Sequence, residues 1–306
     1  MHDFIIVGGA AAATSATIYA SRRGLKVLVI AKDLGGEVAT SGEISNWPGI
    51  IHTDGVTLSQ QFQAHLRSYD PDILEGCMVE KIEKKGEGHF VVTTDDGKEH
   101  KGRAVLVASG VHPRTLNIPG EKEYRLKGVS YCTVCDGPVF KGKVTAVIGG
   151  GNAALESALM LSDLSPKVFV INKNPQFKGE QLLIDNLKKK ANVEVVYEAM
   201  TTEIVGNGKV ATGLKYEAKD GAKRAIEAQG MFVHIGQIPN SQIVPNEVTK
   251  NEFGEIIVDL GAATSMSGLF AAGDVTNVPH KQIIIAAGQG SAAALSAVQY
   301  MNRLTS

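Results

Sequence analysis

Val144-Thr145-Ala146-Val147-Ile148-Gly149-Gly150-Gly151-Asn152-Ala153-Ala154 is an apolar run that breaks into glycines and then into small residues. An apolar run without polar alternation suits a parallel strand covered on both faces. Gly149-x-Gly151-x-x-Ala154 suits the tight turn that leads from such a strand into a helix, here expected over 153–162. Backbone can approach a pyrophosphate at that turn, with the helix N-terminus facing the phosphates. Val168-Phe169-Val170-Ile171 completes a βαβ unit. A second such unit opens the chain. Phe4-Ile5-Ile6-Val7 runs into Gly8-Gly9-Ala10-Ala11-Ala12-Ala13, a small-residue helix through Arg22 and the strand Val27-Leu28-Val29-Ile30. Two fingerprints about 140 residues apart predict an α/β chain with two Rossmann-like, three-layer dinucleotide-binding domains.

Neither fingerprint is complete. Ala10 stands at the second glycine position of the first turn and adds a methyl where a phosphate should pass. Ala31-Lys32 stands where a ribose-binding acid is expected, so this unit alone reads either as a dinucleotide site or as a plain βαβ core. After the second unit comes Asn172-Lys173-Asn174, with neither the carboxylate that grips a ribose nor the arginines that grip a 2′-phosphate. Lys173 and Lys178 read equally as phosphate contacts or as solvated cations.

Between the units lies Cys132-Thr133-Val134-Cys135-Asp136-Gly137. A Cys-x-x-Cys pair can close and reopen a disulfide, because one thiol attacks as thiolate. The adjacent acid can pass a proton to a leaving thiolate. The same spacing is half of a zinc site, although no further Cys pair or His-x-x-x-His supplies the other half, and no metal is expected. Cys77 is the only other cysteine and reads as a core residue.

The chain has 306 residues, enough for about two domains, with 43% hydrophobic residues, 34 glycines and a formal net charge of −1. That balance gives no footprint for nucleic acid or a membrane surface. No uninterrupted apolar stretch predicts a membrane span, and no basic leader precedes the first strand. An odd cysteine count argues against a secreted disulfide scaffold and for the cytoplasm.

The remaining elements follow from periodicity and turn residues. Helices are expected over 57–69 and 180–190. Strands are expected over Val79–Ile82, Phe90–Thr94, Ala104–Ala108, 193–197, Gly230–Gly236 and Ile256–Val258, with a meander over 203–229. Ala108-Ser109-Gly110 is a tight turn that can approach a ligand. Leu269-Phe270-Ala271-Ala272-Gly273-Asp274-Val275 is a strand ending in an acid, followed by Lys281-Gln282 and a small-residue helix over 283–301. Asp274 reads as an acceptor for ribityl or ribose hydroxyls, or else as a helix cap. The N-terminus of the last helix can face a flavin's pyrimidine end.

Together these landmarks resemble the low-molecular-weight thioredoxin reductase family of pyridine nucleotide-disulfide oxidoreductases, close to the flavoprotein part of alkyl hydroperoxide reductase. The resemblance is carried by Ser130-Tyr131-Cys132-Thr133-Val134-Cys135-Asp136-Gly137-Pro138, by Gly149–Ala154, and by Gly273-Asp274-Val275 with Pro279-His280-Lys281-Gln282-Ile283. It implies an FAD domain from residues 1–117 and 242–306, and an inserted nicotinamide domain, 118–241, that carries the disulfide. Hinges are expected near 118–120 and 239–241. FAD contacts would fall on Gly8, Gly9, Ala10, Ala11, Lys32, Gly36, Glu37 and Asn46 early in the chain. Val79, Ala108 and Gly110 would add to them, and Gly273, Asp274, Lys281, Gln282, Ile283 and Ala286 would close the site. A nicotinamide nucleotide would use Gly149, Gly151, Asn152, Ala153, Asn172, Lys173, Lys178 and Gly236.

The resemblance further implies that Cys135 lies nearer the flavin, that Cys132 attacks the partner, and that Asp136 is the acid/base. Electrons would pass from NADPH or NADH through FAD to the disulfide and on to a thioredoxin-like or glutaredoxin-like protein, in a homodimer. Three positions depart from the family pattern. These are Ala10, Glu37 in place of a glutamine, and Asn172-Lys173-Asn174…Lys178 in place of either donor motif. Ferredoxin or another donor therefore stays open, as do an NADH oxidase or peroxiredoxin-reducing role and a redox-sensing regulatory role.

Overall fold

Phe4, Ile5, Ile6 and Val7 point alternately to opposite sides of one strand, yet none is more than 5% exposed. Both faces of that strand are therefore covered, as expected of a central parallel strand. The computed structural model describes residues 1–41 and 43–304. Its helices are α1 (Ala11–Ser21), α2 (Gly36–Ala39), α3 (Gly55–Arg67), α4 (Thr133–Asp136), α5 (Asn152–Ser162), α6 (Gln181–Lys188) and α7 (Ile283–Leu304).

The chain divides into two compact units, each with a Rossmann-like sheet. The first is Met1–His112 with the chain from Ile238 onward; the second is Pro113–Gln237. The divisions fall a few residues ahead of positions 117/118 and 241/242. At the two crossings, Val111–Pro113 and Gln237–Pro239 pair with each other as a small two-stranded sheet.

In the first unit the strand order is Asp72–Glu75, Val27–Ala31, His2–Val7, Glu99–Val107, His89–Thr94, Val79–Gly86, with Leu269–Ala271 also joined to Glu99–Val107. The parallel register sets Phe4 opposite Val27 and Val7 opposite Val107. One face packs Ile6, Val29 and Leu106 under α1 and α7; the other packs Ile5, Leu28 and Val105 under Ile82, Phe90, Val92 and Ile243. The alanines of α1 serve close approach. A Cβ on Gly290 of α7 would collide with the Ala12 carbonyl, so small residues let the two helices touch backbone to backbone.

In the second unit the order is Val129–Ser130, Gly230–Val233, Thr145–Ile148, Val168–Asn172, Val193–Tyr197, all parallel. An antiparallel meander, Met200–Gly206, Ala211–Glu217, Lys223–Glu227, covers one face, and α5 packs on the other through Ala154, Leu155, Ala158 and Leu161.

Two expectations need correction. Ile256–Val258 is not a strand. Ile256 makes only isolated bridges to Lys250 and Thr276, because Ile257 already turns to solvent at 38% exposure and no neighbouring strand runs alongside. By length and mean hydropathy alone α7 reaches the range of a membrane-spanning helix, although Gln289, Ser291 and Ser296 interrupt its apolar residues. Its Gly290, Ala293, Ala294 and Ala297 are buried in the first unit.

Candidate active site

Cys132 and Cys135 are joined in a disulfide, with Cα atoms 5.4 Å apart. Cys132 sits at the N-cap of α4 with extended backbone, and the Cys135 N–H donates to Cys132 Sγ at 3.2 Å. A helix of one turn has too few internal bonds to hold its own shape. Side-chain anchors hold it instead. Ser130 Oγ accepts from the Cys132 N–H at 3.0 Å and lies 2.6 Å from Asp136 Oδ2, to which it donates. Thr133, buried at 4% exposure, is bonded to His234 Nε2 at 2.8 Å and to Ser157 Oγ at 2.5 Å.

Burial pushes the Asp136 carboxyl above its usual range, and the Ser130 bond offsets part of that rise. The acid next to the disulfide is thus a better proton store near neutral pH than a solvated aspartate. Burial pushes His234 down to about 4, so its imidazole is neutral at physiological pH.

In the same unit, Gly149 has φ +148° and a Cβ there would strike the His234 carbonyl. The turn needs glycine to bring Thr145–Ile148 and Gly230–Val233 together at their carboxyl ends. Gly151 is the N-cap of α5, and a Cβ on it would meet nothing within 4 Å, so its face is open. The Asn152 side chain is tied to Glu180, accepting from its N–H at 2.8 Å and donating to Oε1 at 3.0 Å. Ala153 lies in the first turn of α5, and Gly236 holds φ +110° beside Arg114.

Asn172 is turned inward. It is 1% exposed, donates to the Gln176 carbonyl at 3.0 Å and accepts from the Asn174 N–H at 3.1 Å. Its amide closes the 172–176 turn beneath Gly150 and leaves Lys173 and Lys178 as the exposed cations of that segment.

In the first unit Gly8, at φ +122°, passes so close to the Ala108 carbonyl that any side chain would collide with it, and Gly9 is equally hemmed in by Asp33 and Leu34. Ala10 keeps negative φ at the N-cap of α1. Its methyl stands 3.2 Å from where a Gly36 side chain would begin and packs on the cluster of Ala11, Val38, Ile44 and Leu58. Glycine at 36 thereby makes room for alanine at 10. Asn46 donates to Gln282 Oε1 at 3.1 Å and joins that loop to the start of α7, where Ile283 and Ala286 pack on the same cluster. Lys32 is exposed, and Val79 packs on the core face behind the strands. Gly110 holds φ +65°, and Asn240 clamps its turn with bonds of 2.8 Å to and from Ser109.

Gly273, at φ +78°, brings Asp274 round beneath α7, with Gln289 accepting its N–H at 2.8 Å. Asp274 Oδ1 is buried and has no hydrogen-bond partner. Burial pushes this carboxyl up to about 6; Lys281 pulls it down and Glu37 pushes it up. Lys281 is engaged elsewhere, pairing with Glu255 at 2.8 Å and donating to the Thr276 carbonyl at 2.6 Å. Among the described residues no cluster of Cys, His, Asp or Glu could hold a metal ion.

Residues 2–290 match the family model "Pyridine nucleotide-disulphide oxidoreductase". The chain belongs to that family. Its relatives include the F component of the alkyl hydroperoxide reductase of Escherichia coli, 39% identical over 99% of this chain, and an NADH dehydrogenase of Bacillus subtilis, 40% identical over 98%. The chain spans 58% and 59% of the length of those two relatives. Among solved structures, thioredoxin reductase from Streptococcus pyogenes aligns over 99% of both chains at 31% identity with a TM-score of 0.93, and that from Giardia duodenalis at 30% identity with a TM-score of 0.90, covering 98% of this chain and 99% of the other.

FAD is the family's cofactor, and the first unit fits it on its own geometry. An orphaned buried carboxylate oxygen is costly unless a donor reaches it, and a ribityl hydroxyl is such a donor. The crowding at Gly8 and Gly9 brings bare backbone to the α1 N-terminus, where a pyrophosphate is favoured. Sequence reasoning missed the Thr133–His234–Ser157 network, the Asn240 clamp and the Lys281–Glu255 pair. His234 carried no signal beyond lying just after the apolar run Gly230–Val233.

Proposed function

We propose that this chain is an FAD-dependent disulfide reductase that delivers electrons through Cys132–Cys135 to a disulfide on a thioredoxin-like or glutaredoxin-like protein. The observation that carries this is the closed Cys132–Cys135 bond with a half-buried acid directly beside it, in the same unit as an open dinucleotide turn at Gly151.

In this reading the first unit is the FAD domain and the second the nicotinamide domain. The crossings at Val111–Pro113 and Gln237–Pro239, a few residues ahead of 118–120 and 239–241, serve as hinges. Gly8, Gly9 and Ala11 present backbone to the pyrophosphate, Asp274 takes the ribityl hydroxyls, and the start of α7 at Ile283 faces the pyrimidine end. Bound FAD supplies two-electron exchange between a nicotinamide hydride and the disulfide. Cys135 would be the sulfur that exchanges electrons with the flavin. Cys132 is the outer nucleophile, with the Cys135 N–H donating to its sulfur. Breaking the Cys132–Cys135 bond takes up an electron pair and two protons. Cys132 then attacks the partner disulfide, Cys135 resolves the mixed disulfide, and the partner leaves as dithiol with both electrons and both protons. Asp136 gives and recovers the proton at the sulfur that leaves.

The donor is a reduced nicotinamide nucleotide held at Gly149–Ala153. Because Asn172 is committed to its own turn, no carboxylate from that position reaches a ribose, and Lys173 and Lys178 offer only exposed charge to a 2′-phosphate. Discrimination between NADH and NADPH should therefore be small. A second reading is favoured by the relatives named for hydroperoxide reduction and NADH dehydrogenation. In it the same dithiol serves a peroxiredoxin through a carrier, or the reduced enzyme passes electrons to oxygen. A ferredoxin-type donor is the outcome if neither nucleotide works. In this reading the enzyme acts in the cytoplasm as a homodimer.

Anaerobic titration of the yellow holoprotein with NADH and with NADPH tests the donor. Bleaching by either supports the reading, whereas bleaching only by dithionite or reduced ferredoxin overturns the nicotinamide assignment.

A further inference from the structure

We propose that His234 is a positioning residue for the Cys132–Cys135 couple: with Ser157 it clamps Thr133 and keeps the redox turn in shape when the disulfide is open. The inference rests on the reading that this pair cycles between disulfide and dithiol.

The turn that carries both sulfurs is only Thr133–Asp136 long. While the disulfide is closed, the covalent bond fixes the spacing of residues 132 and 135. Once it opens, that constraint is gone, and a single helical turn in isolation is unstable. What remains are the side-chain anchors. Asp136 is tied to Ser130 at one end. At the other, Thr133 Oγ1 is bonded from two directions, by His234 Nε2 at 2.8 Å and by Ser157 Oγ at 2.5 Å. Thr133 and Ser157 are each 4% exposed, so these bonds do not compete with bulk water.

The two partners stand on rigid ground. Ser157 is in the middle of α5. His234 directly follows the buried strand Gly230–Val233, its N–H donating to the Ile148 carbonyl at 2.8 Å. A hydroxyl has one proton, so Thr133 donates to one neighbour and accepts from the other; a neutral imidazole can serve in either sense. Imidazolium can only donate, so the low basicity imposed by burial keeps both arrangements available.

The clamp has a chemical consequence. The Cys135 N–H points at Cys132 Sγ at 3.2 Å. That bond is weak to a disulfide sulfur and strong to a thiolate, since hydrogen bonds to charged acceptors are about twice as strong as neutral ones. Holding Thr133 fixed keeps the N–H on target after reduction. It therefore stabilises the dithiol over the disulfide. A stabilised reduced form means a higher potential.

The experiment uses holoenzyme and the variants His234→Ala, His234→Gln, Thr133→Val and the double variant His234→Ala/Thr133→Val. The equilibrium of the Cys132–Cys135 couple with a glutathione redox buffer is read by alkylation and mass spectrometry, and the flavin spectrum checks folding. His234→Ala and Thr133→Val should each shift the couple toward disulfide by about tenfold, a potential lower by about 30 mV for a two-electron couple. His234→Gln, whose amide can still bond Thr133, should recover most of the shift. The double variant should lose little more than Thr133→Val alone, which already removes the His234 bond together with the Ser157 bond. Unchanged potentials in His234→Ala and Thr133→Val, or fully additive losses, overturn the inference and leave the disulfide-reductase reading standing. A wild-type protein whose pair never equilibrates with the buffer overturns the reading itself. Should His234→Ala fail to fold, Thr133→Val and His234→Gln still decide the matter.

Discussion

Replacing Asp274 with asparagine should have opposite effects on the flavin-free and the flavin-loaded protein. The side chains are nearly isosteric, so the change is one of charge. In the flavin-free chain, burial raises the Asp274 carboxyl to about 6 from its ordinary value of 3.8, and Oδ1 has no partner. The sign follows from linkage. A carboxyl with a raised folded-state pKa favours folding below its unfolded pKa, and that advantage disappears as pH rises through the folded value. From about pH 4 to about pH 6 the wild-type apoprotein should therefore lose stability on this account. A shift of about two units corresponds to about 3 kcal/mol at most.

Asp274→Asn abolishes that slope. At pH 8 the variant apoprotein should be more stable than wild type by about 1–2 kcal/mol, the remainder being consumed by an amide that is itself incompletely bonded. At pH 4.5, where the folded wild-type carboxyl is protonated, that advantage should vanish or reverse, the variant losing about 2 kcal/mol relative to wild type between pH 8 and pH 4.5. FAD affinity should move the other way. Losing a charge-assisted bond to a ribityl hydroxyl costs about 1.5–3 kcal/mol, or about tenfold to more than a hundredfold in Kd. Urea unfolding of flavin-stripped protein at the two pH values, with fluorescence titration of FAD, measures both. An apoprotein destabilised equally at pH 4.5 and pH 8 would refute the reasoning, as would unchanged FAD affinity.

Other substitutions probe the rest of the site. Cys135→Ser should abolish reduction of a thioredoxin-like protein, by at least a thousandfold, while leaving flavin reduction by the donor and any oxidase activity in place; stopped-flow absorbance and an insulin-type disulfide assay separate the two. Asp136→Asn should keep the disulfide and FAD but slow dithiol turnover by about ten- to a hundredfold, most at alkaline pH where protons are scarce, read from the pH profile of partner reduction. Asn172→Glu should raise selectivity for NADH over NADPH, because it restores a carboxylate at the strand end; the ratio of kcat/KM values measures it, and the broken 172–176 turn should lower Tm by a few degrees. Gly36→Ala should weaken FAD binding, since its new methyl meets Ala10 and its φ is +52°; Ala10→Gly in the same chain should relieve the clash but not the backbone strain.

Most of the architecture could be read from the residues because its central strands are covered on both faces. Phe4–Val7 and Ala146–Ile148 have no polar alternation, and in both units the run breaks at a glycine, Gly8 and Gly149, that the crowded turn requires. Short elements escaped. Val129–Ser130 and the paired crossings Val111–Pro113 and Gln237–Pro239 are too brief to show a period, and Asp72–Glu75 hides two apolar residues between acids. Ile256–Val258 misled because an apolar triplet carries no information about whether a neighbouring strand exists to pair with it.

At the site, residue type announced the chemistry but not its surroundings. Cys132, Cys135 and Asp136 declare a redox motif, whereas the anchoring of Thr133 by His234 joins positions 101 residues apart and leaves no local trace. Asn172 illustrates the reverse problem. Its position in the fingerprint suggests ribose contact, yet a short amide followed by Asn174 and Pro175 is as well suited to closing a turn, and that is how the structure uses it.

The proposed function requires that a flavin exchange electrons with the Cys132–Cys135 bond. Anaerobic reductive titration of the holoprotein, following flavin absorbance and free thiols together, tests it most directly. Full reduction should consume two electron pairs per chain, with two new thiols appearing, and Cys135→Ser should consume one pair. A wild-type endpoint of one pair with the disulfide intact, or a chain that binds no FAD, would contradict it.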